Sequence, residues 1–362
     1  MGTEPQFVDA PAGTDTVQPL LSIRNLVTEF KTPDGVVHAV DGVSYDVYPG
    51  ETLGVVGESG SGKSVTVMSV LGLIPQPPGR IVDGEILLEG RNLLDISPRE
   101  MRKVRGKDVA MIFQDPMTSL NPVLTVGDQL AEAVLAHEDV GNDVARKRVV
   151  ELLELVGVPN ADQRFDQYPH EYSGGMRQRA MIAMAMANRP KVLIADEPTT
   201  ALDVTIQAQV LEVLHTAKEE TNAGVVLITH DLGVIAEMAD RVVVMYGGRV
   251  VETGTVDQIF HSPKHPYTLG LLSSLPRPDQ DMDRLVPIPG QPPSLINLPS
   301  GCSFHPRCHL GEGRARCRTE DPALVELGPM RASACHFHEE MADEIHRVED
   351  TTGTTIETED QA

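Results

Sequence analysis

The stretch TLGVV (52–56) runs directly into Gly57-Glu58-Ser59-Gly60-Ser61-Gly62-Lys63-Ser64, and that in turn into VTVMSVLGL (65–73). The first run is short and continuously apolar, as a buried central strand should be. The last has apolar residues at helical spacing. Between them the pattern G-x-x-x-x-G-K-[ST] leaves few folding options. Its glycines let the backbone double back and aim N–H groups at one point, where phosphate oxygens can satisfy them. The helix that follows adds the positive end of its dipole. Gly57, Ser59, Gly60, Ser61 and Gly62 are therefore expected to wrap the phosphates of a nucleotide. Lys63 would reach the β- and γ-phosphates, and Ser64 would offer its hydroxyl to Mg²⁺. A plain Gly-rich turn is the duller reading, and the strand before and helix after count against it.

Three more apolar runs end in polar groups. VLIA is followed by Asp196 and Glu197, VVLIT by His230, and MIF by Gln114. Two acids at the carboxyl end of a buried strand are costly unless they have partners or work. Beside a phosphate loop they have both: Asp196 would hold Mg²⁺ through water, and Glu197 would act as general base toward an attacking water. His230 is placed to contact a γ-phosphate, and Gln114 to bind Mg²⁺ or water; taken alone, each reads as an ordinary strand-end residue. RKRVVELLELVGV and RQRAMIAMAMA are helical in period and lie in a helix-rich segment, about 117–190. Alternating strands and helices predict an α/β fold with a mostly parallel sheet. Ser173-Gly174-Gly175 opens one of these helices and makes a second anion cradle. One nucleotide does not need two cradles, so the second suggests that one subunit completes another's site.

The chain has 362 residues, 30 Lys+Arg against 53 Asp+Glu, and a net charge of −23. That balance argues against sequence-independent binding of nucleic acid, which needs cations for the phosphates. Residues 1–19 hold three acids and no base, and residues 339–362 hold nine acids and one base; both are expected to be loose, solvated tails. No run reaches the roughly 18–20 apolar residues of a membrane span, and the start lacks a basic segment followed by an apolar one. Beyond about residue 255 proline density rises, and an irregular lobe is expected. It holds all four cysteines, as Cys302-x5-Cys308-x8-Cys317-x17-Cys335. Such clustering fits a local metal centre better than dispersed disulfides. Zinc, bound by thiolates alone or with His305, His309, His336 or His338, is one reading. A cubane iron–sulfur cluster is another, and four unliganded thiols a third.

GESGSGKS, Gln114, YSGGMRQ (172–178), VLIADEP (192–198), ALD (201–203) and His230 occur in the order and spacing of ABC-transporter ATPase subunits. The resemblance covers about 21–255. Tyr172 and Met176 depart from the commonest cradle, which has Leu and Gln there, and resemble the oligopeptide/dipeptide importer branch. FQDPMTSLNP (113–122), PHEYSGGMRQR (169–179) and HSPKHPYTLGLLSSLP (261–276) resemble that branch too, extending the likeness to about 338.

The resemblance implies a P-loop NTPase core at 20–255 with an inserted helical subdomain, then a Pro-rich extension at 256–338. It implies two ATPase subunits closing head to tail around two ATP molecules. Ser173 and Gly175 would contact the γ-phosphate of the ATP held by the partner, Asp203 would link the two sites, and His230 would brace the γ-phosphate. Gln114 would report nucleotide state to a membrane subunit. Adenine would stack on Phe30, with His38 the second candidate. The motif GCSFHPRC…C…AC resembles one whose implied ligand is a [4Fe-4S] cluster on Cys302, Cys308, Cys317 and Cys335. Implied partners are a second, homologous ATPase subunit, two permease subunits and an extracellular or periplasmic peptide-binding protein, with this chain at the cytoplasmic face of the membrane. Nickel or another small solute could replace peptide. A soluble ABC ATPase acting on ribosomes or DNA is the rival; the single phosphate loop, the lack of a long heptad stretch and the acidity all disfavour it.

Overall fold

The computed structural model describes residues 17–114, 119–200, 203–274 and 287–345. Outside these lie most of both acidic tails, residues 115–118 of FQDPMTSLNP, Ala201 and Leu202 of ALD, and the last two residues of HSPKHPYTLGLLSSLP, 275 and 276.

The amino-terminal strands form a four-stranded antiparallel sheet. β1 (Leu21–Thr32) and β2 (Gly35–Val47) make a hairpin, and β4 (Gly79–Leu88) and β5 (Arg91–Asn92) extend it in the order β2-β1-β4-β5. The second sheet has eight strands in the order β11-β12-β10-β9-β3-β8-β7-β6. Five neighbours within it run parallel: β9 (Arg241–Tyr246), β3 (Thr52–Val56), β8 (Gly224–Ile228), β7 (Val192–Asp196) and β6 (Val109–Ile112). Every residue of β3, β7, β8 and β9 is buried, which is why these strands read as unbroken apolar runs rather than as alternation.

The two faces of this sheet feed two cores. Leu53, Val55, Val192, Ile194, Val226 and Ile228 pack toward the antiparallel sheet, together with Ile23, Val43 and Ile86. Their neighbours Val56, Leu193, Ala195, Val225 and Leu227 face the helices. There, α3 (Val126–Leu135), α4 (Asn142–Leu155), α5 (Ala161–Phe165) and α6 (Gly174–Met186) bury Leu130, Val149, Leu153, Phe165 and Ile182 in one continuous apolar mass. The remaining helices of the core are α1 (Lys63–Val70), α2 (Pro98–Val104), α7 (Val204–Thr221) and α8 (Leu232–Met238).

The late segment is irregular over long stretches, as its prolines predict, yet it is not detached. β10 (Arg249–Thr255) leads into α9 (Val256–His261) and α10 (Pro266–Ser273); after α11 (Ala315–Thr319), β11 (Val325–Gly328) and β12 (Arg331–Ser333) form a hairpin. β12 pairs with β10 through Glu252↔Ser333 and Thr253↔Ala332, so the extension adds two strands to the main sheet. The described part of the second tail departs from the expected loose chain. Met341 and Ile345, one helical turn apart, are buried against Leu269 and Leu310, and Arg314 makes two hydrogen bonds to Glu340, 2.9 and 2.7 Å. Residues at that spacing share one helix face, so both can be buried together despite the acidic sequence around them.

Candidate active site

The parallel strands all end on one side, and ligands of open α/β sheets bind there. β3 delivers the phosphate loop. Gly57, Gly60 and Gly62 have φ of 151°, 79° and 101°, and a Cβ on Gly62 would lie 2.4 Å from the carbonyl oxygen of Ala39. Only glycine meets both demands. Ser61 and Gly62 are buried, while Ser59 and Gly60 are exposed. The Lys63 ammonium folds back on its own loop and donates to the carbonyls of Gly57 (2.7 Å) and Glu58 (3.0 Å). Burial pushes its pKa down, against the pull of the Glu197, Asp196 and Glu58 carboxylates. A buried cation held by neutral carbonyls is ready to exchange them for phosphate oxygens.

Ser64 on α1 donates to Asp196 Oδ1 at 3.0 Å, which joins the phosphate loop to the end of β7. Burial pushes the Asp196 carboxyl up, with the Ser64 hydrogen bond opposing. A hydroxyl and a buried carboxylate side by side are hard oxygen donors suited to Mg²⁺. Glu197 follows with φ 49°, in the left-handed region, its N–H bonded to the Ile228 carbonyl at 2.8 Å. That turn aims the carboxylate at two neighbouring strand ends. Gln114 donates to Glu197 Oε2 at 2.8 Å, Thr200 donates to the same oxygen at 2.9 Å, and His230 Nδ1 lies 3.5 Å from Oε1. Ser64, Gln114, Asp196, Glu197 and His230 thus converge from the ends of four adjacent strands.

The second cradle stands elsewhere. Ser173 caps α6, accepting from the Met176 N–H at 3.3 Å; Gly175 abuts Ile206, whose Cγ2 would lie 2.9 Å from an added Cβ. Asp203 caps α7 through the Ile206 N–H at 3.0 Å. Among the described residues, none of these three hydrogen-bonds to residues 57–64 within the chain. Two residues that the sequence reading passed over support the site. Thr200 fixes Glu197, and the buried Gln178 donates to the Pro198 carbonyl at 2.6 Å, tying α6 to the acid-bearing turn. Both lie within quoted or adjacent motifs, but their partners are set by the tertiary fold. Phe30 lies on β1 opposite Gly79 of β4, half-buried; His38 lies on β2 with its ring nitrogen 3.3 Å from Glu29.

The four cysteines line one cavity of about 10 Å³ with Phe304, Leu310 and Phe337. None is in a disulfide. Burial pushes the thiol of Cys302 up to about 11 and those of Cys308 and Cys335 up to about 12, and raises Cys317 too. Backbone N–H groups of Gly311 and Phe337 point at the sulfurs of Cys308 (3.3 Å) and Cys335 (3.4 Å). Among the described residues no group of three or more His, Cys, Asp or Glu is arranged to hold a metal ion. The expected metal centre, cluster or zinc, is therefore not displayed as a finished ligand set. The imidazoles are engaged with backbone: one ring nitrogen each of His305, His336 and His338 meets the carbonyl of Cys302, Glu320 or Cys335 at 2.9–3.0 Å.

The ABC transporter family profile matches residues 40–200, and the profile for the C-terminal region of oligopeptide/dipeptide transporters matches residues 251–317. Oligopeptide transport ATP-binding protein OppD of Bacillus subtilis is 56% identical over 286 residues, 79% of this chain and 80% of that protein. This chain is an ATP-binding subunit of the oligopeptide/dipeptide branch of ABC transporters. Dipeptide transport ATP-binding protein DppD of Escherichia coli is 50% identical over 88% of this chain and 96% of its own length. The dimeric ABC transporter cassette MJ0796 superposes with a TM-score of 0.58 at 26% identity, covering 65% of this chain and 98% of that one. The same cassette has been solved as a dimer bound to ADP and Pi, with the same TM-score and identity. The family is an ATP-hydrolysing one.

Proposed function

We propose that this chain hydrolyses MgATP at the interface of a head-to-tail ATPase dimer and so drives uptake of di- or oligopeptides through a membrane permease. The observation that carries the reading is the Glu197 carboxylate, held between Gln114, Thr200 and His230 beside the Ser64–Asp196 pair. Ser64, Asp196 and Gln114 are the residues that would hold Mg²⁺, which would neutralise charge on the β- and γ-phosphate oxygens when bound. Glu197 orients a water and takes its proton as the water oxygen bonds to the γ-phosphorus and the bond to the ADP oxygen breaks. His230 braces the γ-phosphate and Lys63 exchanges its carbonyl partners for phosphate oxygens. Ser173 and Gly175, which make no hydrogen bond to the chain's own phosphate loop among the described residues, serve the partner's ATP, and Asp203 lies between the two sites. Phe30 stacks on adenine. Relatives named for oligopeptide and dipeptide transport support peptide as the cargo; with that cargo go, in this reading, a second ATPase subunit, two permease subunits, a peptide-binding protein and a place at the inner face of the membrane. Among the described residues no helix is long and apolar enough to cross a membrane. The test is to co-express the chain with its candidate permease subunits and a second ATPase, reconstitute the complex in vesicles, and measure ATPase activity with and without peptide and binding protein. Turnover that ignores peptide would reject the assignment of cargo.

The four thiols are proposed to ligate a [4Fe-4S] cluster. In support, four cysteines from three segments converge on one apolar cavity, and two sulfurs already receive backbone N–H bonds, a usual feature around such clusters. A cluster would crosslink a lobe that has little regular structure, a structural role. Iron and acid-labile sulfide measured on anaerobically purified chain test this; stoichiometric zinc, or four titratable thiols without metal, would reject it.

A further inference from the structure

The phosphate loop carries one acidic residue, Glu58, and the catalytic account above gives it no task. Its carboxylate receives a two-pronged salt bridge from Arg307, with Nη1 to Oε2 at 2.6 Å and Nη2 to Oε1 at 2.9 Å. The backbone N–H of the same Glu58 donates to the Tyr267 hydroxyl at 2.7 Å. Both partners come from the late extension, 249 and 209 residues away. Arg307 is buried and otherwise fully engaged: its Nε donates to the Pro289 carbonyl at 2.8 Å, and Nη1 reaches the Tyr246 hydroxyl at 3.4 Å. Tyr246 ends β9, beside the phosphate-loop strand. Its ring sits 4.6 Å from that of Tyr267 and 5.2 Å from that of Phe304, so the clamp stands on a rigid aromatic base. Leu271, Ser274, Pro287 and Ile288 of the extension line a cleft together with Gly57, Glu58 and His230.

We propose that Arg307 and Tyr267 are positioning residues of the ATP site, so that the C-terminal extension is a working part of the nucleotide engine. Two physical effects support this. An unpaired carboxylate on the phosphate loop would repel the polyphosphate of ATP, and the Arg307 guanidinium cancels that charge. The fork geometry also fixes where Glu58 lies, and with it the entry of the loop from Gly57. Arg307 sits in the one-turn helix His305–Arg307, between Cys302 and Cys308. The setting of those two cysteines is thereby transmitted to the loop by a single buried side chain.

The inference rests on Gly57–Ser64 being the ATP phosphate site, and a Lys63→Ala control tests that premise separately: wild-type affinity in that variant would sink the premise itself. The deciding experiment is a double-substitution cycle in the full chain, reading the Kd of a non-hydrolysable MgATP analogue together with kcat and KM for ATP. Arg307→Met is expected to raise Kd roughly tenfold, with KM rising more than kcat falls, whereas in a Glu58→Gln background the same substitution shifts Kd by less than about twofold. Arg307→Lys, which keeps the charge but loses the fork, is expected to fall between. Arg314→Ala, which breaks an exposed ion pair with Glu340 on the same lobe, leaves all three constants unchanged. An unchanged Kd in Arg307→Met, or an equal loss in both backgrounds, would overturn the proposal. Should Arg307→Met fail to fold by circular dichroism, Arg307→Lys runs the same cycle with the same criteria.

Discussion

Glu197 occupies a left-handed backbone position that few carboxylates adopt, and its oxygens are already met by Gln114, Thr200 and His230. A neutral amide at this position keeps the shape and the hydrogen bonds but takes no proton. Glu197→Gln is therefore expected to bind MgATP at wild-type affinity while phosphate release falls by about a hundredfold or more, read in a phosphate-release assay. A second carboxylate carries a stability prediction. Glu252 is fully buried on β10, accepts the Lys264 and His265 N–H groups at 2.6 and 2.9 Å, and burial raises its pKa to about 7 from 4.5. The folded chain then binds a proton that the unfolded chain has released, so this group's contribution falls as pH rises from about 4.5 through about 7 and is flat above. Denaturant melts of wild type and Glu252→Gln should show a stability difference that shrinks or reverses across that window; a pH-independent difference would refute the assignment. At this scale the sequence singled out Lys63, Ser64, Gln114, Asp196, Glu197 and His230 because each stands just beyond an apolar run or its phosphate-loop turn, and the fold gathers them at neighbouring strand ends. Glu58, Gln178 and Thr200 were not, because what matters is the partner each meets in the fold. No local period carries the pairing of Glu58 with a residue 249 positions away.

The phosphate loop owes its shape to neighbours as much as to its own glycines. Gly62 meets the Ala39 carbonyl of β2, and Gly57 faces the Met245 carbonyl of β9 at 2.2 Å from a would-be Cβ. Gly62→Ala is expected to strain both backbone and contact, weakening MgATP binding at least tenfold in equilibrium titration while the far-ultraviolet spectrum stays native. The parallel strands β3, β6, β7 and β8 were legible as apolar runs because they are almost wholly buried, whereas β9 was not singled out. The β11–β12 hairpin was not: VELG and RAS are short, polar and flanked by proline-rich chain, and only pairing with β10 makes them strands. Met341 and Ile345 were likewise hidden among acids, since two apolar residues one turn apart reveal themselves only when a groove receives them.

At the scale of the whole molecule, the two anion cradles share no hydrogen bond among the described residues, and the proposed engine needs a companion. Glu197→Gln with MgATP should elute as a dimer with another ATPase subunit or with itself at micromolar concentration, and wild-type turnover per chain should fall on dilution. Full activity from a chain held monomeric by light scattering would rule out the shared-site reading. One edge of the main sheet has a further practical meaning. β12 covers β10, leaving the short β11 with its glycine and glutamate outermost. Trimming the gene to a minimal catalytic core that stops near residue 255 would strip that guard and bare the outward backbone groups of β10 around Val251–Thr253, with β9 still paired on the other side. Such a shortened product should clump on expression, and the deletion would be misread as proof that the removed portion is needed for catalysis.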